Sequence, residues 1–267
     1  MDKWDLMNRW DLVLPPSRPT MQHLALIRHH IQYVDRKSPV AVLGSTPEFT
    51  DLLAECGFEH IYVFEKNLTF YRSINHLRIY PEKIYRVEEG DWLETLPKCK
   101  GQFYLILSDL TSGNISYDTR DLFYNAITEA LHVGGGFIDK VLTHDDSNIP
   151  VDDLMMKYSQ MPLNLLYINY FSCEMLFCSE LLNLKKIVDT SLFYSVLNEK
   201  IKNNRVRCFV DSAKVITPPG CTWYYGIKWD ELIKDYCPNL ELVSINDEES
   251  TSPYYQRLKY YIFNKAR

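Results

Sequence analysis

The stretch VAVLGSTPEFTDLLAECG, residues 40–57, reads as a buried strand, a tight turn and a helix. An apolar run ends at Gly44, Thr46 stands where an N-cap belongs, Pro47 suits the first helical position, and Glu48 puts a carboxylate in the first turn. The same rhythm continues along the chain. Apolar runs at 40–43, 61–65, 84–87, 103–107 and 136–142 predict strands, and helical stretches are expected at 47–56, 68–77 and 120–131. This alternation is that of βαβ units and a mostly parallel sheet.

The turn also restricts its ligand. A nucleoside triphosphate loop needs G-x-x-x-x-G-K-[ST], whereas Gly44 is followed five positions later by Phe49, with no Lys-Ser or Lys-Thr after it. A dinucleotide fingerprint would put glycines at 44, 46 and 49, and the chain has Gly44, Thr46 and Phe49. Glu48 already supplies the negative charge that a helix N-terminus attracts, so a phosphate is not expected there. A ligand with positive charge and a ribose suits the turn better. Glu65 closes the second strand 21 residues after Gly44, where a carboxylate can accept both ribose hydroxyls; the alternative is a strand-end Glu facing solvent.

Composition bounds the remaining possibilities. The 267 residues are 46% hydrophobic and 13% aromatic, enough for one large core, and 24% charged with mixed signs, as in an ordinary globular protein. A net charge of −6 speaks against broad nucleic-acid contact, so no nucleic-acid partner is expected. The seven cysteines are scattered without a C-x-x-C pair, which predicts reduced, mostly buried thiols, and a cytoplasmic location is expected from the opening residues. The opening MDKWDLMNRWD lacks the apolar core of a signal peptide. The apolar stretch from Met161 carries Glu174, Glu180 and several Asn, which predicts a buried or lid helix and no membrane span.

A single domain over 1–267 is expected, with a helical lid segment at 1–38, a cofactor-binding half at 39–145, and a helical insert with terminal strands at 146–267. The first segment holds a Pro-rich PPSRPT and a helical run, MQHLALIRHHIQYV. Beyond Pro150, helices are expected at 151–182 and 185–203, then a turn and helix in TWYYGIKWDELIKDYCPN, and two strands, LELVSIN and LKYYIFNK, pairing antiparallel at the sheet edge.

Taken together, VAVLGSTPEFTDLLAECG, YVFEKN, EEGDWLETLP, FYLILSDLTSGNIS and ALHVGGGFIDKVL resemble the class I S-adenosylmethionine-dependent methyltransferases, in particular bacterial members whose first turn reads L-G-x-T-P-E. The resemblance spans about residues 39–142 and implies a Rossmann-like fold, an α/β sheet with an antiparallel edge strand and a helical cap. It implies that Gly44, Ser45 and Thr46 pass the methionine part of the cofactor, that Glu65 holds the ribose, and that Lys66 lies beside the adenine. Asp91 would accept from the adenine amine with Trp92 close to the ring, and Ser108 and Asp109 would lie where cofactor and acceptor meet. S-adenosylmethionine is a sulfonium and ammonium compound without phosphate, in agreement with the turn. The NPPY-type signature for planar amines is absent, the place reading SDLT, so oxygen or an aliphatic amine is expected as the methylated atom.

Few side chains are obligatory for methyl transfer, an in-line displacement in which the protein supplies mainly proximity and, for a neutral acceptor, a base. His144 and Asp109 are the candidates for that chemistry, His144 being read otherwise as a loop histidine in an acidic turn. Asp145 and Asp146 with Asp109 could gather a metal, but Asp pairs after strands are usually solvated caps, and no metal is expected. Arg18, Trp10 and Asn114 are candidates for the acceptor side, and Trp4, Trp223, Tyr224 and Tyr225 either line an aromatic pocket or belong to the core. Arg28, His29 and His30 read as a solvated helix face. The expected partner is a small-molecule or peptide acceptor; a cofactor- or partner-binding protein without turnover and a nucleotide-dependent oxidoreductase are the alternatives. Oligomeric state leaves no mark in the sequence.

Overall fold

A computed structural model describes residues 10–15, 17–81, 84–143, 149–178, 187–224, 226–247 and 255–266. Its centre is a seven-stranded sheet in the order β3-β2-β1-β4-β5-β9-β8. The strands are β1 (Val40–Leu43), β2 (Ile61–Glu65), β3 (Tyr85–Glu89), β4 (Phe103–Asp109), β5 (Leu131–Leu142), β8 (Leu240–Asp247) and β9 (Leu258–Lys265). The first five run parallel, β9 runs antiparallel to β5, and β8 closes the edge antiparallel to β9. The parallel strands read as unbroken apolar runs because both faces are covered: all four residues of β1 are buried. One core packs Ala41, Leu43, Ile106 and Phe137 against one face, and a second packs Val40, Val42, Leu105 and Leu107 against the other, as the alternation of a strand requires.

Helix α1 (Met21–Ile31) starts at Thr20, whose hydroxyl accepts from the His23 amide while the His23 ring accepts from the Thr20 amide. Helices α2 (Pro47–Glu55), α3 (Leu68–Ser73) and α4 (Arg120–Ala130) follow β1, β2 and β4. The expected helix at 68–77 is shorter: it stops at Ser73 and tightens into a 3-10 turn at Asn75–Leu77.

The insert departs most from expectation. Among the described residues the two long helices expected over 151–203 are replaced by three, α5 (Val151–Gln160), α6 (Leu165–Glu174) and α7 (Thr190–Lys200), and α8 (Asn204–Ile216) follows; they surround a core of their own that includes Tyr158, Phe171, Phe193 and Phe209. Pro162 cannot continue α5, and Asn164 restarts the chain as N-cap of α6 by accepting from the Tyr167 amide. Asp189 and Asn203 cap α7 and α8 in the same way. Residues expected to be helical at 187–189 form strand β6 (Ile187–Asp189), paired antiparallel with β7 (Thr222–Tyr224). Glu174, fully buried, is met by Lys157 Nζ at 2.6 and 2.7 Å, so α5 and α6 share a closed ion pair. Among the described residues no helix is long and apolar enough to cross a membrane.

Candidate functional site

The strand order reverses at β1, from which β2 lies to one side and β4 to the other, and open α/β sheets bind ligands in the crevice at such a point. A cavity of about 180 Å³ lies there, between the ends of β1, β2 and β4, the amino-terminal segment and the insert.

On the β2 side the cavity wall is the Gly44 turn. Gly44 has φ +84°, a left-handed conformation that glycine adopts without the penalty of a Cβ. The Phe64 carbonyl accepts from both the Gly44 amide and Trp92 Nε1, each at 2.9 Å, which fixes the indole against the turn. Ser45 Oγ donates to Glu65 Oε2 at 2.6 Å, and the Asn67 amide donates to Oε1 at 2.8 Å. Glu65 is thereby aimed along the cavity wall while only 6% exposed. Thr46 occupies the N-cap position of α2 but its side chain makes no capping bond; it lines the cavity instead.

On the β4 side Asp109 lies 3.0 Å from Lys140 Nζ, with both side chains almost wholly buried. Burial raises the Asp109 carboxyl above the usual carboxylate range, and Lys140 acts against that rise. Behind it, burial pushes Asp139 up to about 7, against the opposing effect of the Ser108 hydroxyl beside it and of Tyr124, which donates to Asp139 Oδ2 at 2.9 Å. Leu110 then turns left-handed at φ 56°, the one non-glycine with positive φ among the described residues, and leads into a 3-10 turn at Thr111–Asn114. Arg120, fully buried, holds this turn by donating to the Ser112 carbonyl at 3.0 Å.

The remaining walls come from distant segments. Asn169 of α6 accepts from the Leu14 amide at 2.9 Å and donates to the Leu12 carbonyl at 3.0 Å. These bonds strap residues 10–15 over the cavity, and the Ser17 hydroxyl stands 3.1 Å from Cys173 Sγ. Trp10 packs edge-on against Phe70, and Trp223, Tyr224 and Gly226 close the far side. A Cβ on Gly226 would stand 2.2 Å from the Leu142 carbonyl oxygen, so β5 and the insert approach here as only glycine allows.

The cavity wall thus gathers Gly44, Ser45, Thr46, Glu65, Trp92, Asp109, Trp10 and Asn114 from the sequence-derived candidates. Others stand elsewhere. Lys66 and Asp91 form an ion pair with each other at 2.8 Å off the wall, and Asp91 also caps the turn at Trp92–Thr95 through the Leu93 amide. Burial disfavours the Asp91 carboxylate, but Lys66 and that amide outweigh it and hold the carboxyl below its usual range. Ser108 is buried beside Asp139, and Arg18 donates from Nε to Glu48 at 2.6 Å, so its fork is engaged with protein rather than aimed at the cavity. His144 lies outside the described residues, as do Asp145, Asp146, Trp4 and Tyr225. Leu110, Asn169, Thr217 and Gly226 also line the cavity, though none is among the sequence-derived candidates, and of these only Gly226, the glycine within YYGIKW, carries a local signal of a close approach. Among the described residues no group of three or more His, Cys, Asp or Glu side chains is placed to hold a metal.

The sequence matches no family model and no curated protein. Solved structures resemble it in fold. A Rhodobacter sphaeroides protein described as a zinc-dependent alcohol dehydrogenase superposes with a TM-score of 0.58 at 12% identity, covering 99% of this chain and 97% of that one. The N-methyltransferase NodS from Bradyrhizobium japonicum, in complex with S-adenosyl-L-homocysteine, gives 0.54 at 11% identity with 100% of both chains covered. The 1,6-didemethyltoxoflavin-N1-methyltransferase of Burkholderia thailandensis, with 1,6-didemethyltoxoflavin and S-adenosylhomocysteine bound, gives 0.51 at 9% identity over 92% of this chain and 78% of that one. The chain has the Rossmann-like class I methyltransferase fold.

Proposed function

We propose that the chain is an S-adenosylmethionine-dependent methyltransferase acting on a small-molecule or peptide acceptor, at oxygen or an aliphatic amine. The observation that carries this reading is Glu65: a buried carboxylate at the end of β2, held by Ser45 and Asn67 on the cavity wall next to the Gly44 turn. A carboxylate oxygen accepts more than one hydrogen bond, which is the chemistry a ribose hydroxyl needs. The described wall carries no Lys, Arg or His to meet a phosphate, which fits a cofactor without one. The two N-methyltransferases of like fold that hold S-adenosylhomocysteine support the same reading.

The cofactor supplies a methyl group already activated on a sulfonium. The chain's part is to bind and orient it: Gly44, Ser45 and Thr46 along the methionine portion, Glu65 on the ribose, and the Trp92 indole beside the adenine. Lys66 and Asp91, paired with each other, shape the turn that carries Trp92. Residues 10–15, strapped to α6, exclude water from above, and Asp109 and Asn114 face the acceptor from the β4 side. His144 stays in the proposal as the base for a neutral acceptor.

The name of the Rhodobacter relative favours a second reading, a nucleotide-dependent oxidoreductase, against which stand the missing glycines at 46 and 49. Thermal unfolding with S-adenosylhomocysteine, and with NADH in parallel, separates the two. Ligand at 100 times its dissociation constant adds about 2.7 kcal/mol, a shift of roughly 2–4 °C per kcal/mol. A rise with NADH alone would overturn the methyltransferase reading.

A further inference from the structure

The cavity has a second chemistry on the side away from Glu65. Asn114 Oδ1 is buried and, among the described residues, has no hydrogen-bond partner. Its carbonyl is not idle by mobility, because the turn that carries it is fixed by Arg120 through the Ser112 and Ile115 carbonyls. The wall beside it is aromatic: the Tyr224 carbonyl comes to 4.0 Å from a Cβ placed on Gly113, which brings Trp223 and Tyr224 against the same turn. No cation lines this wall among the described residues: Arg120 lies behind the turn, where it donates to the Ser112 and Ile115 carbonyls, and Lys140 is paired with Asp109.

We propose that this side binds a small, flat aromatic acceptor that carries no anionic group and donates an N–H or O–H to Asn114 Oδ1. The inference rests on the methyl donor occupying the Glu65 side. A buried acceptor left unmatched is costly, so a ligand that supplies the missing donor gains what a ligand without one forfeits. A phosphate, sulfate or carboxylate would lose its hydration and find no counter-charge. Trp223 and Tyr224 offer ring faces and edges, which an aromatic ligand uses in stacked or edge-on contact.

The test uses the full chain saturated with S-adenosylhomocysteine and three probes of one shape, 2-naphthol, 2-methoxynaphthalene and 2-naphthoate, with affinities from calorimetry. We expect 2-naphthol to bind roughly tenfold tighter than 2-methoxynaphthalene, as one net hydrogen bond allows. The naphthoate is expected to be weakest. Asn114→Ala should abolish the naphthol preference, and Asn114→Asp, which keeps an acceptor oxygen, should retain it. Equal affinities for naphthol and its methyl ether, a preference for the naphthoate, or no binding of any of the three would overturn the proposal. A missing S-adenosylhomocysteine signal would instead count against the cofactor reading, and a naphthol preference that survives it would leave the aromatic site standing.

Discussion

Ser45 and Glu65 are joined by a buried hydrogen bond of 2.6 Å that ties the turn after β1 to the end of β2. The hydroxyl spends its proton on the carboxylate, so the carboxylate's geometry is set before any ligand arrives. Glu65→Ala is therefore expected to weaken S-adenosylhomocysteine binding by about 1.5–3 kcal/mol, the range for hydrogen bonds to a charged group. Ser45→Ala should cost roughly 1 kcal/mol of the same affinity through lost orientation. Calorimetric titration checks both, and unchanged affinity in Glu65→Ala would remove the ribose assignment.

Gly44 is conformationally demanding rather than crowded. A Cβ there would meet Trp92 at an ordinary 3.6 Å, so the cost of Gly44→Ala is the left-handed backbone, about 1–2 kcal/mol. The denaturation midpoint should fall accordingly, with an unchanged m-value.

Lys140→Met would strand the buried Asp109 carboxylate. Loss of about 3–5 kcal/mol is expected at neutral pH, and the double variant with Asp109→Asn should recover much of it. Chemical denaturation of the three variants gives the comparison; a stability deficit no smaller in the double variant would show that the pair is not the cause.

Asp139 makes stability depend on pH. Its folded carboxyl is raised from 3.8 to about 7 by burial, so between these values the folded state binds more protons than the unfolded one. The contribution of this group is thus full at the acid end, falls as pH rises through that window, and is lost above about 7. Asp139→Asn should flatten this part of the profile and gain stability relative to the parent chain as pH rises. Unfolding free energies across the window test the sign.

Asn169 latches the amino-terminal strap through two backbone bonds. Asn169→Leu should leave α6 helical but free residues 10–15, seen as faster amide exchange at Leu14 and earlier proteolytic cleavage there. Protection at Leu14 equal to that of the parent chain would mean that the strap is held elsewhere.

The parallel half of the sheet was legible because VAVL and IYVFE are buried on both faces and end in turn residues, leaving no competing helical period. The antiparallel ending was legible from LELVSIN, where burial alternates residue by residue. The insert was not, because its stretch from Met161 is almost uniformly apolar and offers no period to read. Its true boundaries lay in single polar residues, Asn164, Asp189 and Asn203, each a helix cap. At the site, residues adjacent in the motif order, Gly44 to Thr46 and Glu65, could be placed from spacing. Asn169 and Thr217 reach the cavity only through long-range packing, which no local pattern encodes. The fates of Lys66, Asp91 and Arg18 depended on partners that spacing does not reveal: two of them chose each other, and the third chose Glu48.

The left-handed Leu110 sets two demands against each other. Glycine would adopt that backbone at no cost, whereas leucine carries a penalty of about 1–2 kcal/mol there. What leucine gives in return is an apolar side chain packed toward Phe177, Val188 and Leu258 and set into the cavity wall. Leu110 is therefore a place where fitness for a ligand and ease of folding pull in opposite directions, and a stability-guided redesign of this chain would erode the pocket first at that residue.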